Sequence, residues 1–106
     1  MSDRDIYNLL GLIQKAGRLL SGNEQIETGL KDGKGELLVM AEDAAERTTS
    51  LYRGLAERQK VPVVIFGKKE ELGRAIGKGV RTAVLITDQG FSRTICRKLE
   101  GVCIMK

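Results

Sequence analysis

Three uninterrupted apolar runs constrain this chain more than any other feature: Leu37-Leu38-Val39-Met40, Val61-Pro62-Val63-Val64-Ile65-Phe66 and Ala83-Val84-Leu85-Ile86. A strand with one wetted face alternates apolar and polar residues, whereas a run that is apolar throughout has both faces covered. Each run has the length of a strand. Helical periodicity fills the segments between them. Ile6, Leu9, Leu10 and Ile13 fall at i, i+3, i+4 and i+7 and predict a helix over 3–16, capped by Ser2 and ended by Gly17. Further helices are predicted over 22–31 (Ile26 and Leu30 inward), over 46–60 (Leu51, Tyr52, Leu55 and Ala56 inward) and over 69–76 (Leu72, Ala75 and Ile76 inward). A last helix follows Asp88, buries Phe91, Ile95 and Leu99, and stops at Gly101. Arg18-Leu19-Leu20-Ser21 and the tail 102–105 read as short strands. The alternation predicts one α/β domain over residues 1–106. Its expected form is a three-layer α/β/α sandwich around a mixed, largely parallel sheet of about four strands.

Composition narrows the chemistry. The chain has 106 residues, no histidine and no tryptophan. Without histidine, Ser-His-Asp and Cys-His catalysis and every histidine-containing metal site are excluded. Tyr7, Tyr52, Phe66 and Phe91 are the only aromatics, too few for a surface that stacks successive bases. Cys96 and Cys103 do not make a zinc site or a disulfide framework and read as small buried thiols of a reducing compartment. No apolar run approaches the ~18–20 residues of a membrane span, and the acidic start of the chain lacks an apolar signal core. A cytoplasmic protein with no membrane partner, no cofactor and no metal is expected.

Charge is distributed unevenly. The formal net charge is +4; residues 1–53 carry 7 basic and 9 acidic side chains, and residues 54–106 carry 11 and 5. A basic surplus suits a polyanionic partner, nucleic acid above all, but is also compatible with an ordinary solvated surface.

Ligands of open α/β sheets bind beyond the carboxyl ends of strands, which selects Ser21-Gly22-Asn23-Glu24, Ala41-Glu42-Asp43-Ala44 and Gly67-Lys68-Lys69. The loop 77–82 precedes a strand and is not selected by this rule. Ser21-x-x-Glu24 has the spacing of a capping box. The same segment can also meet nucleic acid. A glycine permits close approach, free amides at a helix start attract phosphate, and Asn and Glu match base edges. Glu42 and Asp43 could form a carboxylate pair for acid–base work or a divalent cation; more simply, Asp43 or a neighbour caps the following helix. Residues 73–79 lack the spacing of a phosphate-binding loop.

Gly22-Asn23-Glu24, Ala41-Glu42-Asp43, Val61-Pro62 and residues 72–77, in this order, together with Leu12-Ile13-Gln14-Lys15-Ala16-Gly17-Arg18, resemble the kink-turn-binding ribosomal protein superfamily of the L7Ae and L30e type. The chain is most similar to the bacterial YlxQ-type ribosomal-protein paralogues. The resemblance covers roughly residues 4–100. It implies an α/β/α sandwich that binds kink-turn or related RNA, with Asn23 and Glu24 contacting the guanines of tandem sheared G·A pairs and Gly22 allowing the approach. It also implies that Ile76, Gly77, Lys78, Gly79, Val80, Arg81 and Thr82 form a loop packed on flipped-out nucleotides, with Val80 as the apolar contact and Lys78 and Arg81 on phosphates. Lys15, Arg18, Lys31 and Lys34 are further candidate phosphate contacts. Two departures stand out. Glu27 occupies the position of a family lysine; it either pairs with Lys31 within the helix, or it implies weaker binding to a standard kink-turn or a different RNA. The loop 76–82 is also shorter by one residue and more basic.

The expectation is a monomeric, non-catalytic RNA-binding protein whose partner is ribosomal or another structured RNA. The alternatives are a protein-interaction adaptor of the translation or transcription machinery, or a small enzyme using Glu42 and Asp43.

Overall fold

A computed structural model of the chain describes residues 3–99 and 103–104. The elements are α1 (Asp3–Lys15), β1 (Leu19–Leu20), α2 (Asn23–Lys31), β2 (Leu37–Met40), α3 (Glu46–Arg58), β3 (Val63–Ile65), α4 (Lys69–Ala75), β4 (Ala83–Ile86), α5 (Gln89–Lys98) and β5 (Cys103–Ile104). They form a single sheet in the order β1-β4-β2-β3-β5. Ser2, Gly101 and the Cys103 side chain lie outside the described residues, and Cys96 is half-buried rather than enclosed.

The apolar runs divide between two cores by the two-residue repeat of a strand. Leu37, Val39, Val64, Val84 and Ile86 pack on one side with Ile6, Leu10 and Ile13 of α1, Leu72 of α4 and Ile95 of α5. Leu38, Met40, Val63, Ala83 and Leu85 pack on the other with Ile26 and Leu30 of α2 and Tyr52, Leu55 and Ala56 of α3. Helices therefore cover both faces, giving the three layers that the sequence implies. Leu51 departs from its expected inward position: it lies a residue off the buried stripe of α3 and is exposed. Asp88 caps α5 as its position suggests, accepting from the Phe91 amide at 2.9 Å. Among the described residues, no helix is long and apolar enough to cross a membrane.

The expectation of largely parallel pairing is corrected. Among the described residues only β2 and β3 run parallel; β1–β4, β2–β4 and β3–β5 are antiparallel. A doubly buried apolar run reports that both faces are covered and carries no information about direction. Direction is set by the return path after α4. Gly77, at φ +73°, reverses the chain, and residues 78–81 run back along α4. The Lys78 amide donates to the Gly73 carbonyl (2.8 Å), and the Arg81 amide reaches the Lys69 carbonyl at the helix start (3.0 Å). This backtrack requires glycine at 73, because a Cβ there would collide with the Gly79 backbone carbonyl. The chain thus re-enters the sheet from the edge it left after β3, and β4 is antiparallel.

Candidate nucleic-acid interface

The antiparallel β4 decides which loops meet. Its N-terminal residue Ala83 pairs with the C-terminal residue Met40 of β2, and its Leu85 pairs with the C-terminal residue Leu20 of β1. The loop 77–82, although it precedes a strand, therefore lies on the same sheet edge as the loops that follow β1, β2 and β3. The Arg81 Nε donates to Ser21 Oγ at 3.2 Å, and its Nη1 donates to the Val80 carbonyl at 2.9 Å. One guanidinium clasps the basic loop to the start of α2.

Two adjoining depressions result. One, of about 560 Å³, is lined by Gln14, Leu19, Leu20, Ser21, Gly22, Asn23, Glu24, Gln25, Lys78 and Arg81. The other, of about 160 Å³, lies between Ser21, Gly22 and Asn23 on one side and Val80, Arg81 and Thr82 on the other. Val80 stands out of the loop 53% exposed, a large apolar side chain offered to solvent.

The helix start differs from the expected Ser21–Glu24 capping box. The motif is shifted by one residue: Gly22 is the N-cap, and Gln25 Oε1 accepts from the Gly22 amide at 3.3 Å. Ser21 is 9% exposed and turned toward Arg81, so its oxygen is committed there, and Glu24 is left at the surface. With no side chain accepting from the first-turn amides, these N–H groups remain at the rim of the depression, where a helix favours negative charge. Gly22 has φ −76° and ψ 150°, ordinary extended backbone, and a Cβ there would meet Gln25 at an ordinary 3.6 Å. Nothing in the folded protein itself demands glycine at this position.

Asn23 is exposed, yet it is anchored from below. The hydroxyl of Tyr52, 1% exposed on α3, donates to Asn23 Oδ1 at 2.8 Å. Burial, and then the nearby Glu27 carboxylate, push the phenol's pKa up, so it keeps its proton through the neutral range. Glu27 is half-buried one turn beyond Asn23 on α2, and no ion pair joins it to Lys31 among the described residues.

The other expected residues are more dispersed. Ile76 is 6% exposed and belongs to the core, where it supports the loop from beneath instead of facing a ligand. Gly77, Lys78 and Gly79 are exposed; Thr82 is half-buried and its carbonyl accepts from the Ala41 amide. Lys31 lies eight residues along α2 from Asn23, about 12 Å away at 1.5 Å per residue. Arg18 sits toward the opposite sheet edge, where its carbonyl accepts from the Thr87 amide, and Lys34 lines a separate depression along α2 with Leu20, Glu24 and Gln25. Lys15 is exposed at the end of α1, where its neighbour Gln14 lines the depression. Sequence reasoning placed none of Gln14, Gln25 and Tyr52 at the site, although it expected Tyr52 to face inward. A tyrosine on a buried helical stripe needs a partner for its hydroxyl, and that was the available signal for Tyr52.

The carboxylates after β2 are otherwise engaged. Asp43 does not cap α3, whose N-cap is Ala45 without a side-chain bond. Its Oδ1 instead accepts from the Lys69 amide at the first residue of α4 (2.9 Å). This follows from β2 and β3 being neighbours, which lays the loop after β2 against the loop after β3. Glu42 pairs with Lys68 at 3.2 Å, and Glu71 accepts from the Tyr7 hydroxyl at 2.6 Å.

The sandwich thus displays an open helix start, a basic loop and an exposed valine together on one sheet edge. The chain belongs to the ribosomal protein L7Ae/L30e/S12e/Gadd45 family, matched over residues 4–96. It is 31% identical to the RNA-binding protein YlxQ of Bacillus subtilis over 100 residues, covering 94% of this chain and all of that one. It is 32% identical to the large ribosomal subunit protein eL8 of Picrophilus torridus over 89 residues, covering 83% of this chain and 70% of that one. A solved structure of a protein of unknown function from Bacillus halodurans C superposes with a TM-score of 0.81 at 34% identity, over 86% of this chain and 92% of the other. The chain is accordingly a binding protein and not an enzyme.

Proposed function

We propose that this protein binds structured RNA containing a kink-turn, most naturally ribosomal RNA, through the N-terminus of α2 and the loop 77–82. The observation that carries this reading is the Arg81–Ser21 clasp, which joins two segments 60 residues apart into one surface. On that surface Asn23 and Glu24 face outward as readers of the guanines of sheared G·A pairs. Gly22, free of any structural demand for glycine, leaves room for the RNA backbone. Lys78 supplies phosphate contact, the second depression accepts a flipped-out nucleotide against Val80, and Arg81 holds the wall between them. The similarity to YlxQ, an RNA-binding protein, and to eL8, a ribosomal protein, agrees with this reading. The protein works as a cytoplasmic monomer associated with RNA or the ribosome.

Glu27 favours a second reading. It puts an anion beside Asn23 on the proposed RNA face, as an adaptor that keeps the fold and meets a protein of the translation or transcription machinery would do. Titration against a short kink-turn RNA, and against the same RNA with its G·A pairs made Watson–Crick, separates the two. Both are measured at two salt concentrations, because nonspecific phosphate binding falls steeply with salt. A preference of about tenfold or more for the kinked RNA, about 1.4 kcal/mol, is expected. Equal binding that salt abolishes would overturn the RNA reading in favour of the adaptor.

A further inference from the structure

An exposed asparagine is an ambiguous reader. Its terminal torsion is broad and roughly two-fold, and its amide offers an acceptor at one end and two donors at the other. Left free at the start of α2, Asn23 could turn either end toward a base.

The Tyr52 hydroxyl biases this choice, because a phenol is a better donor than acceptor. It is buried beneath Asn23, and Oδ1 of Asn23 accepts its proton at 2.8 Å. With the oxygen held inward, the planar amide directs Nδ2 away from the protein. We infer that Tyr52 is a positioning residue which fixes Asn23 as a hydrogen-bond donor and so makes the site select guanine over a base with an adenine-like edge. The inference rests on the RNA reading above and adds to it a residue from α3, the helix beside α2 in the same layer.

The chemistry follows from neighbouring groups. Asn23 presents N–H donors and the adjacent Glu24 carboxylate presents only acceptors. Guanine carries the complement on one edge, the O6 acceptor beside the N1–H donor. A base with an amino group at position 6 has a donor and then an unprotonated N1, which sets donor against donor and lone pair against carboxylate. Without Tyr52 the amide can turn over and accept from that amino group, so part of the discrimination disappears. A phenol carries its proton at neutral pH, and burial shifts its pKa further up.

The probe is a kink-turn RNA in which each guanine of the sheared pairs is replaced in turn by 2,6-diaminopurine. This base keeps the N2 and N3 edge used in a sheared pair but carries an amino group in place of O6 and an unprotonated N1. The wild-type protein is expected to prefer guanine by about tenfold or more at one of these positions. Tyr52→Phe is expected to reduce that ratio at least threefold while leaving the thermal midpoint and the binding of Watson–Crick control RNA near wild type. A merely structural role would weaken both RNAs equally and leave the ratio unchanged. Asn23→Asp supplies an independent arm: with Tyr52 donating to one carboxylate oxygen, the outer oxygen is an acceptor, and the preference for guanine is expected to vanish or reverse. An unchanged ratio in Tyr52→Phe, or a retained guanine preference in Asn23→Asp, overturns the inference. Asn23→Ala distinguishes the levels. If it abolishes the discrimination while Tyr52→Phe does not, only the role of Tyr52 falls; if it changes nothing, the assignment of Asn23 as a reader falls with it.

Discussion

Two pairs of loops occupy the same edge of the sheet and differ in what they leave available. The first pair joins the start of α2 to residues 77–82; the second joins residues 41–44 to the start of α4. Both are rich in charge. In the second, the charges are turned on the protein itself: Asp43 caps α4, Glu42 meets Lys68 and Glu71 holds the Tyr7 hydroxyl. In the first, the contacts that hold the loops together use Ser21, Arg81 and Tyr52, and Asn23, Glu24, Lys78 and Val80 stay at the surface. Position at a strand end therefore does not identify a site. What distinguishes one is polar groups left over once the fold has been satisfied.

The contrast can be broken most severely at Gly73. Gly73→Ala drives a Cβ into the Gly79 carbonyl, a backbone atom with little room to move. A loss of about 1–3 kcal/mol in stability is expected from the overpacking, seen as a lower denaturation midpoint. Displacement of the basic loop should weaken RNA binding in the same variant. Next in size is a pair of substitutions with opposite signatures. Asn23→Ala should cost about 1–3 kcal/mol of affinity for a kink-turn RNA. Asp43→Ala should instead cost about 0.5–2 kcal/mol of folding stability through the lost cap, with RNA affinity unchanged. Chemical denaturation and titration on both variants test the contrast directly; RNA affinity that falls for Asp43→Ala would make the second loop pair part of the interface.

Glu27→Lys should tighten binding at low salt and steepen its salt dependence, since a phosphate-facing cation releases one more counterion on binding. No gain at low salt would mean that this face of α2 does not meet RNA. Gly22→Ala sharpens the same point from the backbone side. It should cost about 1 kcal/mol of stability, because alanine is a clearly poorer N-cap than glycine. The added methyl should also reduce RNA affinity where the backbone is approached. Lys68→Ala is the smallest effect, with a stability change within about 0.5 kcal/mol, because both partners of its ion pair with Glu42 are more than half exposed.

The strands β2 and β4 were legible to the residue, because a run that is apolar on both faces admits one reading in a chain of this length. The helical stripes of α1 and α2 were equally plain, and Leu51 misled only because it adjoins the stripe of α3. The helix caps were read less well. Ser21-x-x-Glu24 satisfies the capping spacing, but Arg81 claims the serine from 60 residues away. Asp43 stands close to α3 in sequence, yet it lies against α4 across the β2–β3 pair.

The sequence by itself determined the elements, most of their buried faces and the family resemblance. These properties depend on periods of two and 3.6 residues and on local composition, which a linear chain displays. Only the tertiary structure decided the direction of β4, the meeting of residues 77–82 with α2, the Arg81 clasp and the hold of Tyr52 on Asn23. Each of these joins residues far apart in the chain; the first three depend on a path set by close backbone approach at Gly73, where a side chain would stand in the way, and the last on the packing of α2 against α3.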